Sequence, residues 1–320
     1  MNRRKALASF FTAAAGSMMV APPKLYSALR TLSLSSSLSS RTAGLNAAPG
    51  LGVQSEAQGT VTSADGTRLA YTRFGRGTPL VVCYGAYTVA DDWADFAREL
   101  GEQHTVYVYD RRGHGRSPYA GKPYTMTCEV EDLAAMMAVA GKDAALLGHS
   151  FGGGCALAYA LRENFRGRVI LYEPVHSVPR LLSRGYLPEF EKLVAAGDMA
   201  KATEFGLVNI ARAPHGLMES FKQSPLWPAM MQQTPAFLNE VRFLDTTTWT
   251  PEQLRALPCR TWLLLGSLTQ WDPSEVSTTA SLVDRIPGVT LYPVMGQAHF
   301  AHQKNPAQLS RLVARCLSET

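Results

Sequence analysis

The run Gly148-His149-Ser150-Phe151-Gly152 constrains this chain more than any other segment. A short apolar stretch at 144–147 leads straight into it, and a helical pattern over 153–162 follows. A serine between strand and helix sits on a sharp turn, and only small flanking residues let the two elements approach that closely. The turn lifts the hydroxyl to the top of a sheet. The helix N-terminus behind it favours negative charge developing nearby. Ser150 is therefore the candidate nucleophile, and the turn demands a sheet with helices packed on it.

The rest of the body supplies that sheet. Short apolar runs at 67–74, 80–84, 105–109, 144–147, 169–172, 261–265 and 289–294 read as strands. Helical patterns at 93–100, 130–140, 153–162 and 306–317 lie between or after them. Strands separated by helices predict an α/β fold with a mostly parallel sheet covered on both faces. Chemistry in such sheets sits at the carboxyl ends of the strands, and Gly85, Ser150, Glu173, Gly266 and His299 all stand at or just after such ends. The alternation breaks over about 176–255. Helical patterns at 187–196 and 200–210, with Met218, Phe221, Trp227, Met230, Met231, Phe237, Phe243 and Trp249, predict an inserted helical cap whose apolar side chains form its own core and line a pocket.

A serine hydroxyl needs a base. His299, in Gly296-Gln297-Ala298-His299 after the last strand, is the candidate; His302 competes, or else opens the last helix. The oxyanion donors are expected to be the backbone N–H of Phe151 and of Ala86, just after the strand that ends at Tyr84. An acid must hold the imidazole. Glu173, where an apolar strand gives way to a loop, is favoured; Asp272, six residues past Gly266 and followed by Pro273, is the alternative and reads equally as a turn residue or helix cap. The stretch from Asp110 to Ser117 has phosphate-loop spacing without the Lys-Ser/Thr such a loop requires, and is read as a structural turn. Two histidines without a third ligand do not make a metal site, so neither metal nor cofactor is expected.

Several of these segments together resemble the α/β-hydrolase superfamily in its serine-nucleophile branch of small bacterial enzymes. They are Tyr84-Gly85-Ala86, Tyr109-Asp110-Arg111-Arg112-Gly113-His114-Gly115-Arg116-Ser117, Gly148-His149-Ser150-Phe151-Gly152-Gly153 and Gly296-Gln297-Ala298-His299. The resemblance implies an α/β-hydrolase fold over nearly the whole body and a Ser150–His299–acid triad. It favours Glu173, since relatives of this kind lack an acid close after Gly266 and some members carry it after the strand before the cap. A serine nucleophile disfavours dehalogenase and epoxide-hydrolase chemistry. Tyr84 departs from the His that many members have before the oxyanion glycine. The expected activity is hydrolysis of a small, fairly apolar carboxylic ester or lactone through an acyl-enzyme. Amide, thioester or C–C bond hydrolysis by the same triad, and a non-enzymatic binding protein on the same fold, are the alternatives.

Charge excludes other classes. The net +5 lies in the first fifty residues, which hold Arg3, Arg4, Lys5, Lys24, Arg30 and Arg41 and no acid; the first acidic residue is Glu56. The body is near neutral, so no nucleic-acid partner is expected, only a small-molecule ester-like substrate. Residues 1–55 read as an export-type leader and linker. Arg3-Arg4 precede a weakly apolar stretch to Ala21, too short for a comfortable membrane span, in a twin-arginine-like pattern. A cytoplasmic protein with a structureless tail is the alternative, and the Ser-rich, acid-free segment 24–50 also suits a transit peptide. Five cysteines without a CxxC pair argue against zinc and against a full disulfide set, leaving room for one bridge if the chain is exported. Oligomeric state is not legible.

Overall fold

The computed structural model describes residues 56–118, 124–175, 181–213, 215–224, 226–269 and 282–319. The chain divides after Val53, and every described residue belongs to the second unit, Gln54–Thr320. The leader expected over 1–55 lies outside the described residues, as does Asp272.

Eight strands form one sheet: β1 Glu56–Thr62, β2 Arg68–Gly75, β3 Thr78–Cys83, β4 His104–Tyr109, β5 Ala145–His149, β6 Arg168–Tyr172, β7 Arg260–Gly266 and β8 Thr290–Val294. Their order is β1-β2-β4-β3-β5-β6-β7-β8. The β1–β2 and β2–β4 pairs are antiparallel and all later pairs are parallel. The central strands are apolar on both faces because helices cover both. Every residue of β5 is buried, as are Leu80 to Cys83 of β3.

The helices are α1 Ala94–Leu100, α2 Met126–Ala140, α3 Phe151–Arg162, α4 Leu187–Ala195, α5 Met199–Phe205, α6 His215–Lys222, α7 Trp227–Thr246, α8 Pro251–Arg255, α9 Ala301–Lys304 and α10 Pro306–Ser318. The main core joins Trp93, Phe96 and Leu100 to Leu80, Val82, Leu147, Trp262 and Leu264 of the sheet and to Leu309 and Val313 of α10. Helices α4 to α8 lie in the interval between β6 and β7 where the alternation breaks. Among the described residues no helix is long and apolar enough to cross a membrane.

Three details differ from the sequence reading. Strand β1 was not anticipated. Its residues alternate between exposed and half-buried, so this edge strand carries no apolar signal. The helix expected over 200–210 ends at Phe205 and then widens, with the Ala211 N–H donating to the Gly206 carbonyl at 2.9 Å, an i→i+5 bond that begins at a poor helix former. Cys83, Cys155, Cys259 and Cys316 take part in no disulfide, so the one bridge that export would permit is not formed.

The close approach of β5, α3 and β3 depends on missing side chains. A Cβ on Gly152 would sit 2.0 Å from the Cys83 carbonyl oxygen, and one on Gly148 would sit 2.7 Å from the Ala156 Cβ and from the Gly152 oxygen. Gly216, by contrast, has nothing within 4 Å of an added Cβ. Gly152→Ala is expected to lower stability by about 2 kcal/mol or more, because backbone must move. Gly216→Ala, in the first turn of α6, is expected to be neutral or stabilising by about 0.5 kcal/mol. Urea unfolding of both variants beside the parent checks the contrast.

Candidate active site

Strand β5 ends at His149 and α3 begins at Phe151, so Ser150 alone makes the turn. It does so at φ 54° and ψ −123°, a backbone conformation that non-glycine residues rarely adopt. Hydrogen bonds hold it there. The Ser150 N–H donates to the Tyr172 carbonyl at 3.1 Å, and its own carbonyl accepts from Gly153 and Val175, each at 2.9 Å. The loop after β3 crosses directly over the serine. A Cβ on Gly85 would lie 2.6 Å from Ser150 Cβ and 3.1 Å from its Oγ. The Thr88 hydroxyl donates to the Gly85 carbonyl at 2.9 Å and fixes this loop, which carries Ala86. Phe151 opens α3, so its N–H is among the donors that helix geometry leaves unpaired. Phe151 thus adjoins Ser150 in the chain, and Ala86 follows the glycine that lies against it.

Glu173 stands one residue past β6 with φ 43° and no solvent exposure. A buried carboxylate is costly unless hydrogen bonds replace water, and both oxygens are supplied. Oε1 accepts from the Gly266 N–H at 2.7 Å and from the Thr269 hydroxyl at 2.5 Å. Oε2 lies 2.6 Å from His299 Nδ1. With Nδ1–H donated to a carboxylate, Nε2 of a neutral imidazole is left as the acceptor, the form a general base needs. The side chain of His299 is 31 % exposed whereas that of Glu173 is fully buried.

The sequence reading did not identify the residues that hold His299. The Tyr172 hydroxyl donates to the Ala298 carbonyl and accepts from the Ala301 N–H, clamping both sides of the histidine. His149, immediately before Ser150, places Nε2 2.9 Å from the His299 carbonyl oxygen, which requires the Nε2–H tautomer. Its imidazole stays neutral, because burial and the nearby His299 and His302 hold its pKa well below the ordinary value. The only sequence signal for this role is its place inside the Gly148–Gly152 motif.

His302, the competing base, is buried at 0 % exposure and stacks on Trp93 at 4.0 Å with the rings 2° from parallel. Neither ring nitrogen has a hydrogen-bond partner among the described residues. Burial first, and then the charge of His299, push its pKa down to about 3. It lies at the core face of α9, so the geometry separates the two histidines into one at the site and one beneath it.

The loop after β4 is structural, as read. The Asp110 carboxylate accepts from the Ala90 N–H at 2.9 Å, from Arg116 Nε at 2.8 Å and from the Tyr84 hydroxyl at 3.3 Å. Tyr84 is buried and also accepts from the Arg111 N–H at 3.1 Å, so its phenol tethers this loop. Arg112 grips Asp132 of α2 with two bonds, at 2.6 and 2.7 Å. Arg111 is fully buried and binds Glu129 of α2 at 2.7 Å and Glu240 of α7 at 2.8 Å. Among the described residues no group of three or more His, Cys, Asp or Glu is arranged to hold a metal ion.

Residues 80–312 match the alpha/beta hydrolase family, and the chain belongs to it. Over 276 residues it is 29 % identical to a 2-hydroxymuconate semialdehyde hydrolase of Pseudomonas sp. (strain CF600), covering 80 % of this chain and 92 % of that one. Over 124 residues it is 36 % identical to a non-heme haloperoxidase of Rhodococcus erythropolis; this match takes in 38 % of this chain and spans 45 % of that protein's length. The solved structure of an alpha/beta hydrolase from Sphaerobacter thermophilus DSM 20745 superposes with a TM-score of 0.71 at 28 % identity, covering 81 % of this chain and all of that one.

The buried imidazole of His302 has a measurable consequence. Between pH 6.5 and pH 3 the unfolded chain takes up a proton there that the folded chain refuses. Stability is therefore expected to fall with acidification through that window, by about 1.4 kcal/mol per pH unit from this one group. His302→Phe keeps a ring on Trp93 and removes the titration. Urea unfolding of parent and variant at pH 7.5, 6 and 5 should show the variant losing less stability at each acid step; parallel losses would exclude the assignment.

Proposed function

We propose that this hydrolase cleaves a small, fairly apolar carboxylic ester or lactone through an acyl-enzyme on Ser150. The observation that carries the reading is the 2.6 Å contact between His299 Nδ1 and the buried carboxylate of Glu173, on loops that converge beside a strained serine. In this reading Ser150 Oγ attacks the substrate carbonyl while His299 Nε2 takes its proton. The carbonyl oxygen becomes an oxyanion held by the Phe151 and Ala86 N–H groups. The tetrahedral intermediate collapses, and His299 returns the proton to the leaving alcohol. A water activated by the same imidazole then releases the acid. Glu173 fixes the imidazole tautomer and stabilises its protonated form; it does not itself take the proton.

The apolar character of the substrate rests on the insertion. Leu207, Met218 and Met230 cluster with Tyr87 and Trp227. Phe237 packs on Tyr87 at 4.8 Å, next to the loop that crosses Ser150. A second reading, hydrolysis of a C–C bond, is favoured by the full-length likeness to the 2-hydroxymuconate semialdehyde hydrolase. Amide and thioester bonds would use the same groups. Export through the segment 1–55 is proposed with the function, on the strength of Arg3-Arg4 and the apolar stretch behind them.

Purified protein lacking residues 1–55 is expected to be labelled by a fluorophosphonate probe, and Ser150→Ala to abolish the label. Folded protein that takes no label would point instead to a binding protein. A panel of esters, lactones and a vinylogous C–C substrate ranks the bond types by kcat/KM. For the acid, Glu173→Gln is expected to lower kcat on one activated ester by about 10³–10⁴-fold, the scale of losing the correct tautomer. Asp272→Asn should stay within a few-fold of the parent. The reverse outcome would move the acid to Asp272.

A further inference from the structure

The two segments with candidate oxyanion donors, the β3 loop and the start of α3, lean on one helix. Phe237, Glu240 and Phe243 follow one another at three-residue steps along α7 and share a side of it. Phe237 packs on Tyr87, the residue after Ala86, at 4.8 Å. Phe243 packs on the Phe151 ring at 5.1 Å. Between them, Glu240 Oε1 accepts from Arg111 at 2.8 Å, and the Arg111 guanidinium lies over the Phe151 ring at 4.3 Å from its centroid. The same guanidinium binds both oxygens of Glu129 and the Tyr124 hydroxyl. Arg111 and Glu240 have side chains 0 % and 1 % exposed and stand 129 residues apart in the chain.

We infer that Arg111 and Glu240 are positioning residues for the oxyanion hole: their ion pair fixes the register of α7 over Phe151 and Tyr87, and so the spacing of the Phe151 and Ala86 N–H groups. This rests on the hydrolase reading above. Stability is a weak reason for such a pair, since buried ions replaced by apolar groups of similar shape often leave a fold as stable. Register is a better one. The ring contacts alone are non-directional and tolerate sliding, while a planar guanidinium with several fixed donors sets an orientation. Backbone donors stabilise an oxyanion only when already aimed, and a shift of about 1 Å costs about a hundredfold in rate.

The pair carries a titration signature. Burial, opposed by Arg111, pushes the Glu240 carboxyl up to about 7. The groups facing it are Arg111 and His114 from the β4 loop, Glu129 and Tyr124 from α2 and the turn before it, and Tyr87 from the β3 loop. None of these competes near neutrality. Burial and Arg111 push His114 down to about 4; Arg111 outweighs burial and holds Glu129 below its usual range; burial raises both tyrosines. A protonated Glu240 can still accept a hydrogen bond from the Arg111 guanidinium but loses the attraction between opposite charges that holds the pair.

The test compares the parent with Glu240→Gln and Glu240→Leu, each first quantified by fluorophosphonate titration. On p-nitrophenyl acetate, Glu240→Leu is expected to lose about ten- to a hundredfold in kcat with KM within twofold. A trifluoromethyl ketone, which forms a tetrahedral adduct on the serine, should weaken in parallel. Glu240→Gln should recover most of the loss, running about threefold below the parent at pH 8 and matching it at pH 6. Taking the ratio of variant to parent cancels any pH dependence the two share. A lower melting temperature or higher KM with kcat and ketone inhibition unchanged overturns the inference in favour of packing alone. If Glu240→Leu does not fold, Glu240→Gln decides: a ratio that does not change with pH overturns it. A parent that takes no label overturns the hydrolase reading as well, whereas a labelled, active parent matched by both variants overturns only the positioning role.

Discussion

One buried carboxylate ties together the carboxyl ends of three strands. Glu173 follows β6, takes hydrogen bonds from Gly266 at the end of β7 and from Thr269 just beyond it, and meets His299 in the loop after β8. A carboxylate removed from water must find such partners or lose its charge. Its two oxygens divide the work: one is satisfied by the scaffold and the other is left for the imidazole. Because Oε1 is already held, Oε2 is free to take His299, whose loop is fixed in turn by Tyr172 and His149.

The same economy governs the serine. Its strained backbone is held by hydrogen bonds to Tyr172, Gly153 and Val175, with the loop after β3 packed against it. Tyr172, the residue before Glu173, accepts the Ser150 N–H at its carbonyl and clamps the His299 loop with its hydroxyl. A single strand end therefore supports nucleophile, base and acid candidates together. Beneath them His149 and His302 stay neutral through burial, so the chain places extra imidazoles near the site without placing extra charge there.

The helical insertion adds a second layer to this arrangement. Its longest helix, α7, contacts the β3 loop and the start of α3 on either side of the serine, and it does so through a buried ion cluster as well as through rings. Membership of the alpha/beta hydrolase family accounts for the sheet. The insertion brings apolar side chains onto Tyr87 and Phe151, on either side of Ser150.

How far the sequence carried the fold and the site follows from where each signal lives. The strands at the centre were legible because burial on both faces writes continuous apolar runs into them. The edge strand β1 was not, since its residues are exposed or only half-buried and carry no apolar run. Ser150 was legible because a sharp turn demands glycines at fixed offsets, and those appear as letters. The choice between His299 and His302 was favoured but not closed by sequence. In the structure His302 stacks on Trp93 beneath the site while His299 keeps Nδ1 on Glu173, a difference of burial that three residues of separation cannot express. Glu173 itself was one of two candidates, and the groups that hold it show why. Its scaffold partner is a backbone N–H from a strand 93 residues away, a donor every residue but proline carries. Sequence alone determined which side chains were available for chemistry and which segments could be buried. Tertiary structure decided which of them meet, because that depends on hydrogen bonds and desolvation between strand ends far apart in the chain.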